Sequence, residues 1–369
     1  MSTDGGSGDV YRASPSGSLL VVALGSTGGL SLLRADGSGA ATVLLSGGSP
    51  VAAVAFSQCE DMVASVSDDK SVRVWSTAGS AEPIVSLTSQ RKPSAVAFAS
   101  APDGQALLLV GGKTGDVLAY RLPGLEGGPV YLLTHTASML TAMVVAGTGG
   151  VLVTADRDEK IRVSQFPQTS RVVAYCLGHT AFVSSLLVPQ NAPGLLLSGG
   201  GDGTVRLWAF AEGQQLASVE VGSEAEAAAA DADADDDQAM ADAAAVVDLA
   251  YCELPPSSSQ WGCAAAVVCG RAEVPLFLVR RGAGVETDDE EVGSTLVAAQ
   301  RIPLPARPLL CCRTLDDHTN QARAHVSRTN TSRTLRQPMT VTQNEGRCRP
   351  HTRKPHTPTI LIHTGLVYV

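Results

Sequence analysis

Along the first 220 residues, short apolar segments alternate with clusters of glycine, aspartate, serine and proline. The apolar segments are about five to seven residues long, and none shows a sustained helical period. Short runs of this kind, bounded by turn-forming residues, predict β-strands. Many such strands with frequent turns indicate an all-β sandwich, barrel or propeller.

An internal repeat separates these possibilities. The segments that end at Trp75, Tyr120, Ser164 and Trp208 each join a turn to a β-like run, and their ends are 45, 44 and 44 residues apart. A constant interval of about 40 to 45 residues is typical of the four-stranded blades of a propeller. The fold class predicted is therefore all-β, and because the repeats resemble those of WD-repeat proteins, we expect a WD-repeat β-propeller. We expect seven blades, of which six are recognisable, with Leu296–Cys312 supplying part of the last.

Charge and composition divide the chain into regions. The predicted propeller spans residues 15–312, after a disordered N-terminus at 1–14. An acidic insertion without bulky side chains interrupts it at 222–245. Residues 313–369 form a basic tail that we expect to have little structure. Because residues 1–312 hold 18 bases against 33 acids, bulk charge will not draw this body to nucleic acid.

The remaining composition concerns location and metal binding. No apolar run is long enough to span a bilayer, so no membrane association is expected. The eight cysteines lack the dense spacing of a disulfide scaffold, which favours a reduced, intracellular protein. Cys311 and Cys312 with His318 and His325 do not have the paired spacing of a structural zinc site, so no metal is predicted.

One repeat carries a complete set of polar residues. His179, Ser198, Asp202 and Trp208 can satisfy one another's hydrogen-bonding groups inside an apolar blade, and the set resembles the tetrad of WD-repeat proteins. We expect the tetrad to be structural. The same Ser, His and Asp types occur in hydrolases, but no G-x-S-x-G segment surrounds any serine, and no catalytic residue or cofactor is predicted.

The preceding repeat departs from the usual pattern by carrying DRDEKIR at residues 156–162. Strand alternation would place Lys160 and Arg162 on one face, with Glu159 and Ile161 on the other. From the residues alone, two interpretations stay open. The cluster is either a solvated turn with weak ion pairs or a patch that orients a protein partner.

A resemblance favours the second interpretation. The phrases SMLT, TADRDEKIRVS, YCLGHTAFVS and LLLSGGGDGTVRLW, in this order, resemble the non-catalytic WD-repeat subunit of the tRNA guanine-N7 methyltransferase. The match is specific for residues 51–210, weaker for 18–46 and 246–281, and absent after Cys312. The family's residues imply a partner-binding site at Arg157, Asp158, Glu159, Lys160 and Arg162, in which Glu159 pairs with and orients Arg162.

The resemblance also implies a function. The chain would bind and stabilise a separate catalytic methyltransferase subunit as a heterodimer, in the nucleus, without being an enzyme itself. S-adenosylmethionine would bind to the partner, which forms N7-methylguanosine in the tRNA variable loop, and tRNA would be contacted mainly through the complex. The alternative is a generic WD-repeat scaffold, such as a ligase substrate receptor or a signalling adaptor.

Overall fold

A computed structural model describes most of the chain up to residue 303. The described ranges are 10–14, 18–24, 27–34, 41–123, 128–132, 135, 138–146, 150–221, 245–254, 258, 260–268, 273–280 and 295–303. Beyond them, five short strands are described as backbone at 309–311, 325–327, 339–340, 359–363 and 366–368.

The strands form six four-stranded antiparallel sheets, each made of consecutive strands. The first three sheets are Val10–Ala13, Leu19–Leu24, Gly29–Arg34 and Thr42–Leu45 (β1–β4); Val51–Phe56, Met62–Ser67, Ser71–Ser76 and Val85–Thr88 (β5–β8); and Pro93–Ser100, Ala106–Gly112, Val117–Arg121 and Val130–Leu132 (β9–β12). The other three are Leu140–Ala146, Val151–Asp156, Ile161–Gln165 and Val172–Cys176 (β13–β16); Val183–Leu187, Leu195–Gly200, Thr204–Ala209 and Gln214–Glu220 (β17–β20); and Val246–Glu253, Gln260–Val268, Glu273–Arg280 and Thr295–Pro303 (β21–β24).

The sheets are arranged as the blades of a propeller. The first strand of each sheet contacts the first strand of the next, in the order β1, β5, β9, β13, β17 and β21. These six strands are therefore innermost, and the fourth strand of each sheet lies at the outer edge. The predicted all-β propeller is confirmed, and the described residues contain no helix of the length and hydrophobicity that a membrane span requires.

Apolar cores fill the spaces between neighbouring blades. Leu30 of the first blade and Trp75 of the second belong to one buried cluster, and Trp208 of the fifth blade packs with Val163 of the fourth in another. Both faces of an inner blade are thus buried, which explains why β14 and β18 read as nearly continuous apolar runs rather than alternating ones.

The turns between the second and third strands of neighbouring blades share one conformation. Lys70, Gly115, Glu159 and Gly203 occupy the same turn position, with φ between 69° and 84°. Two of these residues are glycine, which adopts this left-handed region without strain, whereas Lys70 and Glu159 adopt it at a cost. The turns lie at the same end of their blades because the strand order is the same in each sheet.

The last part of the chain differs in one respect from the expected assignment. Leu296 lies in β24, the outer strand of the sixth blade, so it does not begin a seventh. The short strand Leu309–Cys311 (β25) instead contacts both β1 and β21, the innermost strands of the first and sixth blades. His325–Ser327 (β26) pairs with β25, and Met339–Thr340 (β27), Thr359–His363 (β28) and Leu366–Tyr368 (β29) form a further small sheet. The predicted region boundaries stay predictions.

Candidate functional site

The charged segment of the fourth blade is a tight turn between two strands. β14 ends at Asp156 and β15 begins at Ile161, so the turn holds Arg157, Asp158, Glu159 and Lys160. All four are exposed. The backbone amide of Asp156 donates to the carbonyl of Lys160 at 3.1 Å, which closes the turn. The amide of Arg157 donates to the carbonyl of Met139 at 2.9 Å, which ties the turn to the segment that precedes β13.

A buried carboxylate holds this turn from below. Asp156 is only 1% exposed, and its Oδ1 accepts the backbone amides of Asp158 and Lys160, each at 2.9 Å. Its Oδ2 lies 2.7 Å from Nδ1 of His135. The other ring nitrogen of His135 lies 2.8 Å from the hydroxyl of Thr154. The exposed charges therefore stand on a hydrogen-bonded network that fixes the turn backbone.

The surroundings of Asp156 keep its carboxyl group ionised. Burial favours the neutral acid and by itself would raise the pKa of Asp156. The hydrogen bond from His135 and the amide of Lys160, together with the charge of Lys160, outweigh burial and leave the pKa below its ordinary value. The carboxylate is thus charged at neutral pH and is a strong acceptor for the two turn amides.

The four predicted tetrad residues of the fifth blade lie together. Nδ1 of His179 is 2.9 Å from Oδ2 of Asp202, and Nε2 is 2.7 Å from the hydroxyl of Ser198. The indole nitrogen of Trp208 donates to the same hydroxyl at 2.8 Å. All four side chains are inside the blade, where their hydrogen bonds join the segment before β17, the turn between β18 and β19, and those two strands.

Sequence reasoning missed the corresponding residues of the fourth blade. His135 lies 44 residues before His179, and Thr154 lies 44 residues before Ser198. The repeat interval therefore contained the signal, although threonine replaces serine and Ser164 stands where a tryptophan would complete the set. The fourth blade has a His–Asp–Thr network in place of a full tetrad.

The carboxylate of this network comes from an unexpected position. By the repeat interval, Asp158 corresponds to Asp202, yet His135 contacts Asp156, which corresponds to Gly200. A Cβ at Gly200 would lie 2.7 Å from Nδ1 of His179, so the fifth blade has no room for a side chain there. Because Asp156 takes over the buried role, Asp158 is free to be solvent-exposed on the turn.

The structure corrects the expected exposure of Arg162. Its side chain does not share an open face with Lys160, because Arg162 is only 8% exposed whereas Lys160 is exposed to solvent. Its Nε donates to the hydroxyl of Ser164 at 3.1 Å and a terminal nitrogen donates to the carbonyl of Thr169 at 2.8 Å. Glu159 forms no salt bridge with Arg162 among the described residues, so the expected Glu159–Arg162 pair is not present.

Within the same described part of the chain, Arg157 and Lys160 form no salt bridge with an acidic side chain. The exposed turn therefore offers two cations and two carboxylates, Asp158 and Glu159, to a partner surface. Among the described residues no group of three His, Cys, Asp or Glu side chains could hold a metal ion. The side chains of Cys311, Cys312, His318 and His325 lie outside the described set.

Comparison with known proteins places the chain in a family. A family model described as the tRNA methyltransferase TRM82 WD40 domain matches residues 128–334, which is more than half of the chain, and a WD-domain G-beta repeat model matches residues 41–76. The chain is 38% identical over 172 residues to the tRNA (guanine-N(7)-)-methyltransferase non-catalytic subunit wdr4 of Xenopus laevis, covering 46% of this chain and 42% of that protein. It is 39% identical over 86 residues to the non-catalytic subunit wuho of Drosophila mojavensis, covering 23% and 21%.

Two solved structures have a fold similar to that of this chain. A chain in the crystal structure of the mitotic checkpoint complex matches with a TM-score of 0.58 at 16% identity, over 82% of this chain and 83% of that one. The structure of U3-55K matches with a TM-score of 0.59 at 21% identity, over 80% and 81%. The chain spans less than half the length of the two relatives named above. The family match itself covers all of the fourth and fifth blades, including both histidine networks, and the chain belongs to the TRM82 WD40-domain family.

Proposed function

We propose that this chain is the non-catalytic subunit of a tRNA guanine-N7 methyltransferase. In this role it binds and stabilises the catalytic subunit as a heterodimer, and the pair forms N7-methylguanosine in the tRNA variable loop. S-adenosylmethionine binds to the catalytic partner, and tRNA is contacted mainly through the complex. The relatives in Xenopus and Drosophila, which are named as non-catalytic subunits of that enzyme, support the assignment.

The observation that carries the proposal is the rigid, charged turn of the fourth blade. Four consecutive exposed charges stand on a backbone that the buried Asp156 carboxylate fixes through two amide hydrogen bonds. A fixed turn loses little conformational freedom on binding, so its charges contribute orientation and specificity rather than being averaged in solvent. Lys160 and Arg157 are exposed and form no salt bridge among the described residues, so carboxylates of the methyltransferase subunit pair with them.

Arg162 has a different role in this proposal from that of Lys160. Its buried guanidinium joins β15 to the segment that leads into β16, through Ser164 and the carbonyl of Thr169. We therefore assign Lys160 as the principal contact and Arg162 as a positioning residue that fixes the strand beneath the turn.

Reversal of one charge tests the proposal. Lys160→Glu is expected to weaken binding to the catalytic subunit at least about tenfold, because a buried charge pair becomes a repulsion. Lys113→Glu provides a matched control, since Lys113 is also exposed and lies in the equivalent turn of the third blade. The measurement is affinity co-purification of the full chain with the methyltransferase subunit of the same organism, followed by titration of the purified pair.

The same experiment separates the proposal from a generic scaffold. If the unaltered chain does not bind the methyltransferase subunit, and cells that lack the chain keep normal N7-methylguanosine in tRNA, the proposed function is wrong and a scaffold role is favoured. If binding occurs but Lys160→Glu and Lys113→Glu bind equally well, the docking turn is wrong. A nuclear location belongs to the same proposal, and fluorescence microscopy of the tagged chain would test it.

A further inference from the structure

The outer strand of the fourth blade is unusually apolar for a solvent-facing edge. Among the described residues, four of the large apolar side chains that are exposed fall within six positions here: Val172 is 38% exposed, Val173 48%, Tyr175 45% and Leu177 63%. Concentrated apolar exposure on a soluble protein marks an interaction surface more often than scattered single residues do.

A β-bulge contributes to this exposure. In the register of β15 with β16, Val163 pairs with Ala174 and Ser164 pairs with Val172, which leaves Val173 as the extra residue. Two consecutive valines therefore become exposed, whereas strict alternation would bury one of them. Further along the strand, Cys176 is buried and Tyr175 is exposed, as alternation requires.

The fifth blade shows that the fold does not require three of these four apolar residues. Its outer strand β20 pairs with β19 in the same pattern, bulge included, so Gln215, Ser218 and Glu220 occupy the positions of Val172, Tyr175 and Leu177, while Leu216 occupies that of Val173. The first three of these β20 residues are exposed and polar. The difference between the two strands is thus a difference of surface chemistry at equivalent places, not of core packing.

Cations bound the apolar strip at both ends. Arg171 immediately precedes β16 and is exposed. Ile161 pairs with Cys176, so Lys160, one residue earlier, lies next to Leu177. Neither cation forms a salt bridge with any side chain in the described part of the chain, and residues 171–178 include no acid. At about 3.3 Å per residue, the two ends of the strip are about 20 Å apart.

The neighbouring blade covers part of the strand's backbone but not its side chains. Gly213, at φ 69°, approaches β16 so closely that a Cβ there would lie 2.5 Å from the carbonyl oxygen of Tyr175. A partner strand would meet this hairpin of the fifth blade if it tried to extend the sheet. Contact with β16 is therefore made through side chains.

We propose that β16, with Arg171 and Lys160 at its ends, is the apolar part of the surface that docks the catalytic methyltransferase subunit. The strip is continuous with the charged turn, so the inference rests on the proposed function and extends the docking site along the blade edge. The occupant is a segment of the catalytic subunit with apolar side chains over Val172, Tyr175 and Leu177 and with a carboxylate near each end. Because Arg171 and Lys160 form no salt bridge among the described residues, these carboxylates complement their charge.

The fifth blade supplies the test variants, because its residues are already accepted at these positions of the fold. Val172→Gln, Tyr175→Ser and Leu177→Glu are introduced singly and together into the full chain. We expect Tyr175→Ser to weaken binding of the catalytic subunit about tenfold or more, and the triple variant to weaken it further, since truncated aromatic anchors dominate losses of this kind. Val43→Gln is the control, at a valine that is 51% exposed on the outer strand of the first blade.

Thermal unfolding of each variant shows that the propeller is intact, and the affinities are then compared by titration calorimetry. If Lys160→Glu weakens binding but the β16 variants bind as tightly as Val43→Gln, the apolar strip is not part of the interface, while the proposed function stands. If the unaltered chain does not bind the methyltransferase subunit, both proposals are wrong. A loss of binding confined to the β16 variants and Lys160→Glu supports both.

Discussion

Replacing Asp156 with asparagine removes one charge from beneath the docking turn while keeping the size of the side chain. In the native protein this buried carboxylate accepts a 2.7 Å hydrogen bond from His135 and two 2.9 Å bonds from the turn amides. The asparagine oxygen can keep the two amide bonds. Its NH2 group, however, would face the ring nitrogen that donates to the carboxylate, so the hydrogen bond to a charged acceptor is lost.

The expected loss of stability is about 2 to 3 kcal/mol, the amount associated with breaking a buried hydrogen bond to a charged group. Asp158→Asn is the matched control, because Asp158 lies two residues away and its side chain is exposed. We expect this control to change stability by less than about 0.5 kcal/mol. Urea unfolding followed by tryptophan fluorescence measures both variants.

The relative size of the two losses of stability tests whether Asp156 or Asp158 is the central carboxylate of the network. If Asp158→Asn destabilised the chain as strongly as Asp156→Asn, the network would be centred on the carboxylate that corresponds to Asp202 of the fifth blade, and the described geometry would be wrong. An unchanged midpoint for Asp156→Asn would equally refute the argument that this group holds the turn.

Three further predictions concern the same two blades. Glu159→Gly should raise stability by about 0.5 to 1 kcal/mol in urea unfolding, since glycine adopts its φ of 69° without strain; a loss would contradict this. Gly200→Ala should lower stability by about 1 to 3 kcal/mol, because the added Cβ would lie 2.7 Å from His179, and an unchanged melting temperature would count against it. Burial would raise the pKa of Asp202, but hydrogen bonds from His179 and neighbouring groups lower it well below its ordinary range. Asp202 therefore stabilises the native state above its unfolded pKa of about 4, and this stabilisation is lost as the pH falls below that value. Between pH 5 and about 3, the free energy of unfolding of Asp202→Asn should fall less steeply than that of the unaltered chain.

The repeat interval carries most of what the sequence reveals about the fold. Equal spacing of turns and β-like runs located the blades, because each blade repeats the same strand lengths and the same left-handed turn residue. The fifth repeat also held the complete polar set of His179 and its partners, which lie within hydrogen-bonding distance in the structure. Applied to histidine alone, it would have found His135 as well.

The details of the docking turn depend on packing that a one-dimensional pattern does not contain. Asp156 and Asp158 are two residues apart, and only the position of the His135 ring decides which of them is buried. Alternation placed Lys160 and Arg162 on one face, but Lys160 belongs to the turn rather than to a strand, so the rule did not apply. The exposure of Val173 follows from a bulge that the sequence does not announce.

The central claim is that the fourth blade meets a catalytic methyltransferase subunit through its charged turn and its outer strand. Hydrogen–deuterium exchange of the full chain, alone and with that subunit, tests this most directly. The account predicts slower exchange in peptides that cover residues 157–177, with no change in the equivalent turn and outer strand of the second blade at residues 68–88. Protection confined to other blades, with 157–177 exchanging as in the isolated chain, would contradict it.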